Sequence, residues 1–181
     1  SYSAGDALDD QANWSANDTA HNTVVTDPDD AGNLVGRVNR SSYHDDWAEM
    51  TLGANSIADG TTGTLYLRVR RHKGSFALGL NAGSAGAAGV TDARYGFGDL
   101  TIETWAEYWI VFDNAADTFD IYKLGDGEVT QTQIVNDQGF SNAVSGALDT
   151  FVSYQLQWGT GSTTERRNWF DDIHVDTSGE N

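Results

Sequence analysis

The chain is 181 residues long, a length that suits one domain, and 39% hydrophobic content with six Trp, seven Tyr and seven Phe is too rich for a disordered segment. Its 10 Lys and Arg against 27 Asp and Glu leave a formal charge of -17, a field that repels nucleic acid and anionic membrane surfaces and excludes both as expected partners. With no Cys, one Pro and 20 Gly, the chain has no disulfide framework and reads as short strands joined by Gly- and Asp-rich turns, nearly without helix.

Tyr2 to Trp14 shows no helical period, and Gly5, Asp9, Asp10 and Asn13 mark turns between short extended pieces. His21 to Thr26 predicts a strand, Leu34 to Val38 another, and the intervening DPDDAGN is an acidic turn. Asp27, Asp29, Asp30 and Asn33 make that turn rich in oxygen, but without the spacing of a helix-flanked calcium loop. Asp46 to Leu52 alternates Ala48, Met50 and Leu52 inward against Trp47, Glu49 and Thr51 outward, which makes Trp47 a candidate exposed ring beside the polar loop that holds Tyr43 and His44.

Thr64 to Arg71 (TLYLRVRR) is the stretch with the sharpest alternation. Leu65, Leu67 and Val69 leave one face of the predicted strand, and Tyr66, Arg68 and Arg70 leave the other. Arg68, Arg70, Arg71 and Lys73 gather four of the ten cationic groups within six residues, which points to a ligand-facing stripe; a solvated outer face with snorkelling side chains is the plainer alternative. Phe76 to Leu80 follows as an expected hairpin partner, then the small-residue segment Asn81 to Gly89 as a surface loop. Leu100 to Asp113 carries bulky groups at both parities, so one face is core and the other lies beneath a loop or lines a groove, with Trp109 as a candidate platform. Thr118 to Leu124 pairs with it through a DNAAD loop, placing Phe119 and Ile121 inward and Asp120 and Tyr122 outward. A further strand is expected over Val129 to Val135. Phe151 to Trp158 sets Val152, Tyr154, Leu156 and Trp158 against Ser153, Gln155 and Gln157, and outward Gln155 and Gln157 suit hydroxyl or carboxylate partners. Asn168 to Asp176 closes the chain as a last strand. No internal repeat or linker divides residues 1–181, and about eleven short strands predict an all-β, two-sheet antiparallel sandwich.

The opening YSAGDAL…QANW, the VVTDPDDAGNLVGRV segment, the TWAEYWIVFDNAADTFDIYKLG hairpin and the closing WFDDIHVD resemble the concanavalin A-like or laminin G-like jelly roll of carbohydrate-binding modules and catalytic domains in bacterial polysaccharide-degrading enzymes. The resemblance spans most of the chain and specifies fold better than ligand. It implies a structural calcium ion joining the N-terminal segment to the last strand, with Asn33, Asp171 and Asp172 at the matching positions. It also offers catalytic motifs to look for. The ExDxxE strand motif of retaining β-glucanases is absent, and the RxExR, QIH and YFKxGxYxQ motifs of alginate lyases have only loose echoes at Gln155 and Tyr122. A Ser nucleophile elbow and HExxH are absent as well.

The expectation is therefore a non-catalytic carbohydrate-binding module, monomeric and held in cis to the catalytic domain of a secreted polysaccharide-degrading enzyme. Its glycan is expected to be an acidic algal or plant polysaccharide, uronate or sulfated, gripped by Tyr66, Arg68, Arg70, Trp109, Gln155 and Gln157, with Trp47 apart from them. The alternative is a lyase cleaving alginate or a similar uronate polymer by β-elimination, for which Tyr66, Arg68, His72 and Gln155 would supply base and neutraliser. A sandwich used for protein adhesion is the third class. No transmembrane or signal segment is visible, and an opening on Ser1 rather than Met suggests a mature or excised domain, its acidity suited to a saline setting such as that of a marine bacterium.

Overall fold

The computed structural model describes residues 3–16, 22–40, 47–72, 76–83, 93–97, 102–142, 144–155 and 166–178. Among them run twelve strands: β1 (Trp14–Ala16), β2 (Thr23–Thr26), β3 (Leu34–Arg40), β4 (Trp47–Thr51), β5 (Thr62–Arg71), β6 (Phe76–Asn81), β7 (Ala93–Phe97), β8 (Ile102–Asp113), β9 (Thr118–Gly125), β10 (Thr132–Gly139), β11 (Thr150–Gln155) and β12 (Arg166–Asp176). Helix is limited to two single turns of 3-10 type, at Leu8–Asp10 and Gly53–Asn55. None of it is long and apolar enough to cross a membrane.

The strands form two antiparallel sheets, a five-stranded one in the order β1-β4-β11-β6-β7 and a seven-stranded one in the order β10-β9-β8-β5-β12-β3-β2. The result is a two-sheet sandwich of jelly-roll type, as the turn-rich, alternating sequence predicts. Leu65, Leu67, Val69, Ile110 and Phe112 of the larger sheet meet Leu78, Leu80 and Phe151 of the smaller in one core, all almost inaccessible to solvent. Hydrophobic burial of this continuous layer is what holds the sheets face to face. A close approach fixes one glycine: a Cβ on Gly36 of β3 would lie 2.2 Å from the Phe170 ring of β12, its cross-strand neighbour.

Two sequence expectations are corrected. Phe76 to Leu80 is a strand but not the hairpin partner of β5: it pairs with β11 and β7 in the opposite sheet, because both of its parities are apolar and the flanks of β5 are taken by β8 and β12. The strand placed at Val129 to Val135 starts later, at Thr132, leaving Val129 97% exposed. The hairpin of β8 and β9 forms around its DNAAD turn as expected, with Asp113 opposite Thr118.

β12 carries a register shift against β5 between Asp171 and His174, with Asp172 at a φ of 52°. This is a β-bulge: one extra residue on β12 lets Asp171 stand opposite Arg68 and His174 opposite Tyr66.

Candidate functional site

The outward face of the seven-stranded sheet follows from register alone. Cross-strand pairing puts Tyr122 of β9, Trp109 of β8, Tyr66 of β5 and His174 of β12 in one row, four strands wide. Inward neighbours of these residues are core, so the row faces away from it. The Tyr66 and Trp109 rings sit 5.1 Å apart between centroids, tilted by 53°. With Tyr122, Gln131, His174 and Asp176 they line an open cleft of about 570 Å³. Such a wall of flat apolar faces rimmed by a few polar groups suits a ligand that has both an apolar side and hydroxyls.

Tyr66 is held neutral. Burial, then the Glu107 carboxylate and the hydrogen bond between them, push its pKa up to about 12. Glu107 stands in the next row, opposite Arg68. At working pH the cleft therefore presents a tyrosine that donates a hydrogen bond and does not take a proton.

Arg68 and Arg70 project from the same face, as their alternation predicts, but their charges are already matched. The Arg70 Nε donates to Asp29 Oδ2 at 3.1 Å, and its guanidinium covers the Trp169 ring at 5.0 Å. Arg68 lies over Trp105 at 4.8 Å and within 3.7 and 3.5 Å of the Asp171 and Asp172 carboxylates. The acidic turn reaches across to complete the arrangement: the Trp105 indole N–H donates to Asp27 Oδ1 at 3.1 Å. Burial raises the Asp27 pKa, but the Asp29 backbone N–H, Trp105, Asn33 and the Arg68 charge outweigh it and hold the carboxyl below its usual value. Arg71 has the opposite parity and is buried.

The three residues matched to a calcium site do come together, in this same cluster. The Asn33 side-chain N–H donates to Asp171 Oδ2 at 2.8 Å and to Asp27 Oδ2 at 3.4 Å, while its Oδ1 accepts from the Leu34 N–H. Calcium takes six to eight oxygen ligands. Here the carboxylates meet N–H donors and a guanidinium, and among the described residues no group of three or more acidic or His side chains is placed to hold a metal. In this arrangement the Asp171 Oδ2 and Asp27 Oδ2 oxygens accept from the Asn33 amide.

The remaining candidates lie elsewhere. Trp47 is on β4 in the other sheet, packed against Ala77 and Val152. On β11 the expected parity is reversed: Phe151 joins the inter-sheet core and Val152 lies on the opposite side, because the pattern FVSYQLQW has apolar groups at both parities and the larger ring takes the core. Gln155 shares the position parity of Phe151, not of Val152. Its side chain, and all of Gln157, Lys73, Tyr43, His44 and His21, lie outside the described residues. Four of the cleft residues named above were not nominated from sequence: Tyr122, Gln131, His174 and Asp176. The alternation of TFDIYKL did signal Tyr122 as outward; the bulge at Asp172 that turns His174 outward had no signal.

No family model matches the sequence, and a search of curated proteins returned no match. Solved structures do resemble the fold. A sialidase superposes with a TM-score of 0.61 at 8% identity over 98% of this chain and 18% of its own, so this chain spans under a fifth of that protein. The binding domain of botulinum neurotoxin serotype C1 gives 0.53 at 8% identity, over 91% of this chain and 43% of that one. A GH131 beta-glucanase catalytic domain from Podospora anserina gives 0.52 at 11% identity, covering 87% and 79% respectively. Likeness at these identities concerns architecture: the chain is a two-sheet antiparallel sandwich of the kind that these proteins contain.

Proposed function

We propose that the chain is a non-catalytic carbohydrate-binding domain whose ligand is a neutral, hydroxyl-rich glycan seated in the cleft of Tyr66, Trp109 and Tyr122. One observation carries the reading: three aromatic side chains from three adjacent strands line a single open cleft of about 570 Å³ on the outward sheet face. Sugar rings stack on such faces while Gln131, His174 and Asp176 at the rim supply hydrogen bonds. An acidic glycan is disfavoured, since Arg68 and Arg70 are engaged by Asp171, Asp172 and Asp29 and the molecule carries -17.

Binding is favoured over elimination for a reason of proton affinity. A general base works best with a pKa near the operating pH, and Tyr66 keeps its proton to about 12. Arg68, the expected neutraliser of a uronate carboxylate, already faces two carboxylates. In this reading the domain is secreted, acts as a monomer and directs a polysaccharide-degrading catalytic domain in cis.

An array of neutral and acidic glycans tests the proposal. Retention is expected on neutral polymers, with Trp109→Ala weakening it about tenfold or more. Binding confined to uronate or sulfated glycans, or full affinity in Trp109→Ala, would overturn it. Incubation with alginate and pectate should produce no unsaturated ends by ultraviolet absorbance.

A further inference from the structure

Beside the cleft, on the same face, lies a second depression of about 200 Å³, bordered by Arg68, Trp105, Glu107 and Leu124 and walled by the β9–β10 turn. That wall is fixed locally, because the Gly125 N–H donates to the Glu128 carboxylate and the Glu128 N–H returns a bond to the Gly125 carbonyl. Glu107 borders the smaller depression and stands next to Tyr66 and Trp109 of the larger, two positions along β8 from Trp109 and opposite Arg68. The two depressions therefore follow one another along β8, from Trp109 to Trp105. Four residues of extended strand separate these rings by roughly 13 Å, more than one sugar ring covers.

Resting on the proposed glycan reading, we infer that the two depressions form one trough of two subsites, which takes a linear neutral oligosaccharide lying along β8, with Trp109 as the near platform and the Arg68 guanidinium, spread over Trp105, as the distal one. Glu107 accepts from sugar hydroxyls, and the Arg68 N–H groups other than those at the nitrogen facing Asp171 and Asp172 donate to them, a pairing that suits polyols. Glu107, Asp126 and Glu128 around the distal subsite repel a carboxylate or sulfate on the chain, so the same trough selects against polyanions. Direction along the strands is set by the order Trp109, Glu107 and Trp105 on the outward face of β8.

Calorimetry with gluco-, xylo- and manno-oligosaccharides, from disaccharide to hexaosaccharide, tests the inference. Affinity in the series that binds should rise about tenfold with length in the native chain. Trp105→Leu should abolish that rise and leave disaccharide affinity unchanged, whereas Trp105→Phe, which keeps a flat ring, should retain most of it. Since Trp105 also bonds Asp27, Leu124→Arg offers a second variant that fills the distal depression from β9, and it should flatten the length dependence as well. A rise that survives both variants, or native affinity that does not depend on length, would overturn the trough while leaving single-cleft binding intact. Failure of every oligosaccharide to bind would sink both readings.

Discussion

On the outward face of the seven-stranded sheet Tyr66, Trp109 and Tyr122 stay partly exposed, whereas the equivalent positions of the five-stranded sheet are shut: Ala77 is 0%, Val152 2% and Glu49 7% exposed. Strand geometry is the same in both, with successive side chains leaving opposite faces. What differs is whether anything packs on the second face. In the smaller sheet Ala77 and Val152 gather with Trp47 into a minor core of their own, so that sheet is covered on both sides. In the larger sheet polar and aromatic side chains pair with one another and leave a cleft between them. An outward residue thus becomes a ligand-facing residue only where its sheet face is left open.

The sharpest way to break this contrast is to place the same charge on each face. Val152→Asp should cost about 3 kcal/mol or more in chemical denaturation, because a buried carboxylate loses its hydration without a partner. Tyr122→Asp should change stability by under about 1 kcal/mol yet remove glycan binding. Equal losses of stability from both would show that the faces do not differ.

Alkaline pH probes a phenol on each side of the larger sheet. Burial pushes the Tyr108 pKa in the core up to about 12, as burial and Glu107 do for Tyr66 on the open face. Both folded values lie above the unfolded value of 10.0, so their contribution to stability is complete below pH 10 and is lost as pH rises towards 12. A denaturation midpoint that falls across this window is expected, with Tyr108→Phe and Tyr66→Phe each reducing the slope by a similar amount. A flat profile would contradict the burial of both phenols.

Smaller effects belong to the ion-paired cluster. Arg70→Ala should lower stability by about 1 kcal/mol, through loss of its contacts to Asp29 and Trp169, and leave glycan affinity within about twofold. A tenfold loss of affinity would return Arg70 to the binding face. Smallest of all is the response to chelation: if the Asn33, Asp171 and Asp172 cluster is internally neutralised, melting with EDTA and with added calcium should agree within about 1 °C. A clear rise with calcium would establish the metal that the family resemblance implies.

Much of the larger sheet was legible in the sequence because its signals are local. The alternation of TLYLRVRR placed Leu65, Leu67 and Val69 inside, and the DNAAD turn set the β8–β9 register. The state of the arginines was not legible. Asp29 lies 41 residues from Arg70 in the chain, and only the pairing of β12 with both β3 and β5 brings Asp171 between Asn33 and Arg68. A basic stripe read from one strand says where charge emerges, not whether distant carboxylates have already met it. Strands β6 and β11 were misread for a related reason: when both parities are apolar, period two carries no information about which side is core.

The extra residue at Asp172 makes the last strand a device with a phase. Upstream of it Trp169 and Asp171 face outward and Phe170 inward; downstream, after a slip of one position, His174 and Asp176 face outward and Val175 inward. Straightening the bulge with every residue kept would slide His174 opposite Leu65 and so invert the strand's final segment, turning an imidazole and a carboxylate inward and delivering Val175 to the cleft, whereas deleting the extra residue would leave His174 opposite Tyr66. Insertions and deletions of one residue are usually absorbed by loops. In this molecule one point in the sheet shares that tolerance: the bulge absorbs one residue and keeps the two ends of β12 in step with the same face, so a one-residue deletion at Asp172 should leave the binding surface in register, whereas one between Trp169 and Asp171 should disturb it.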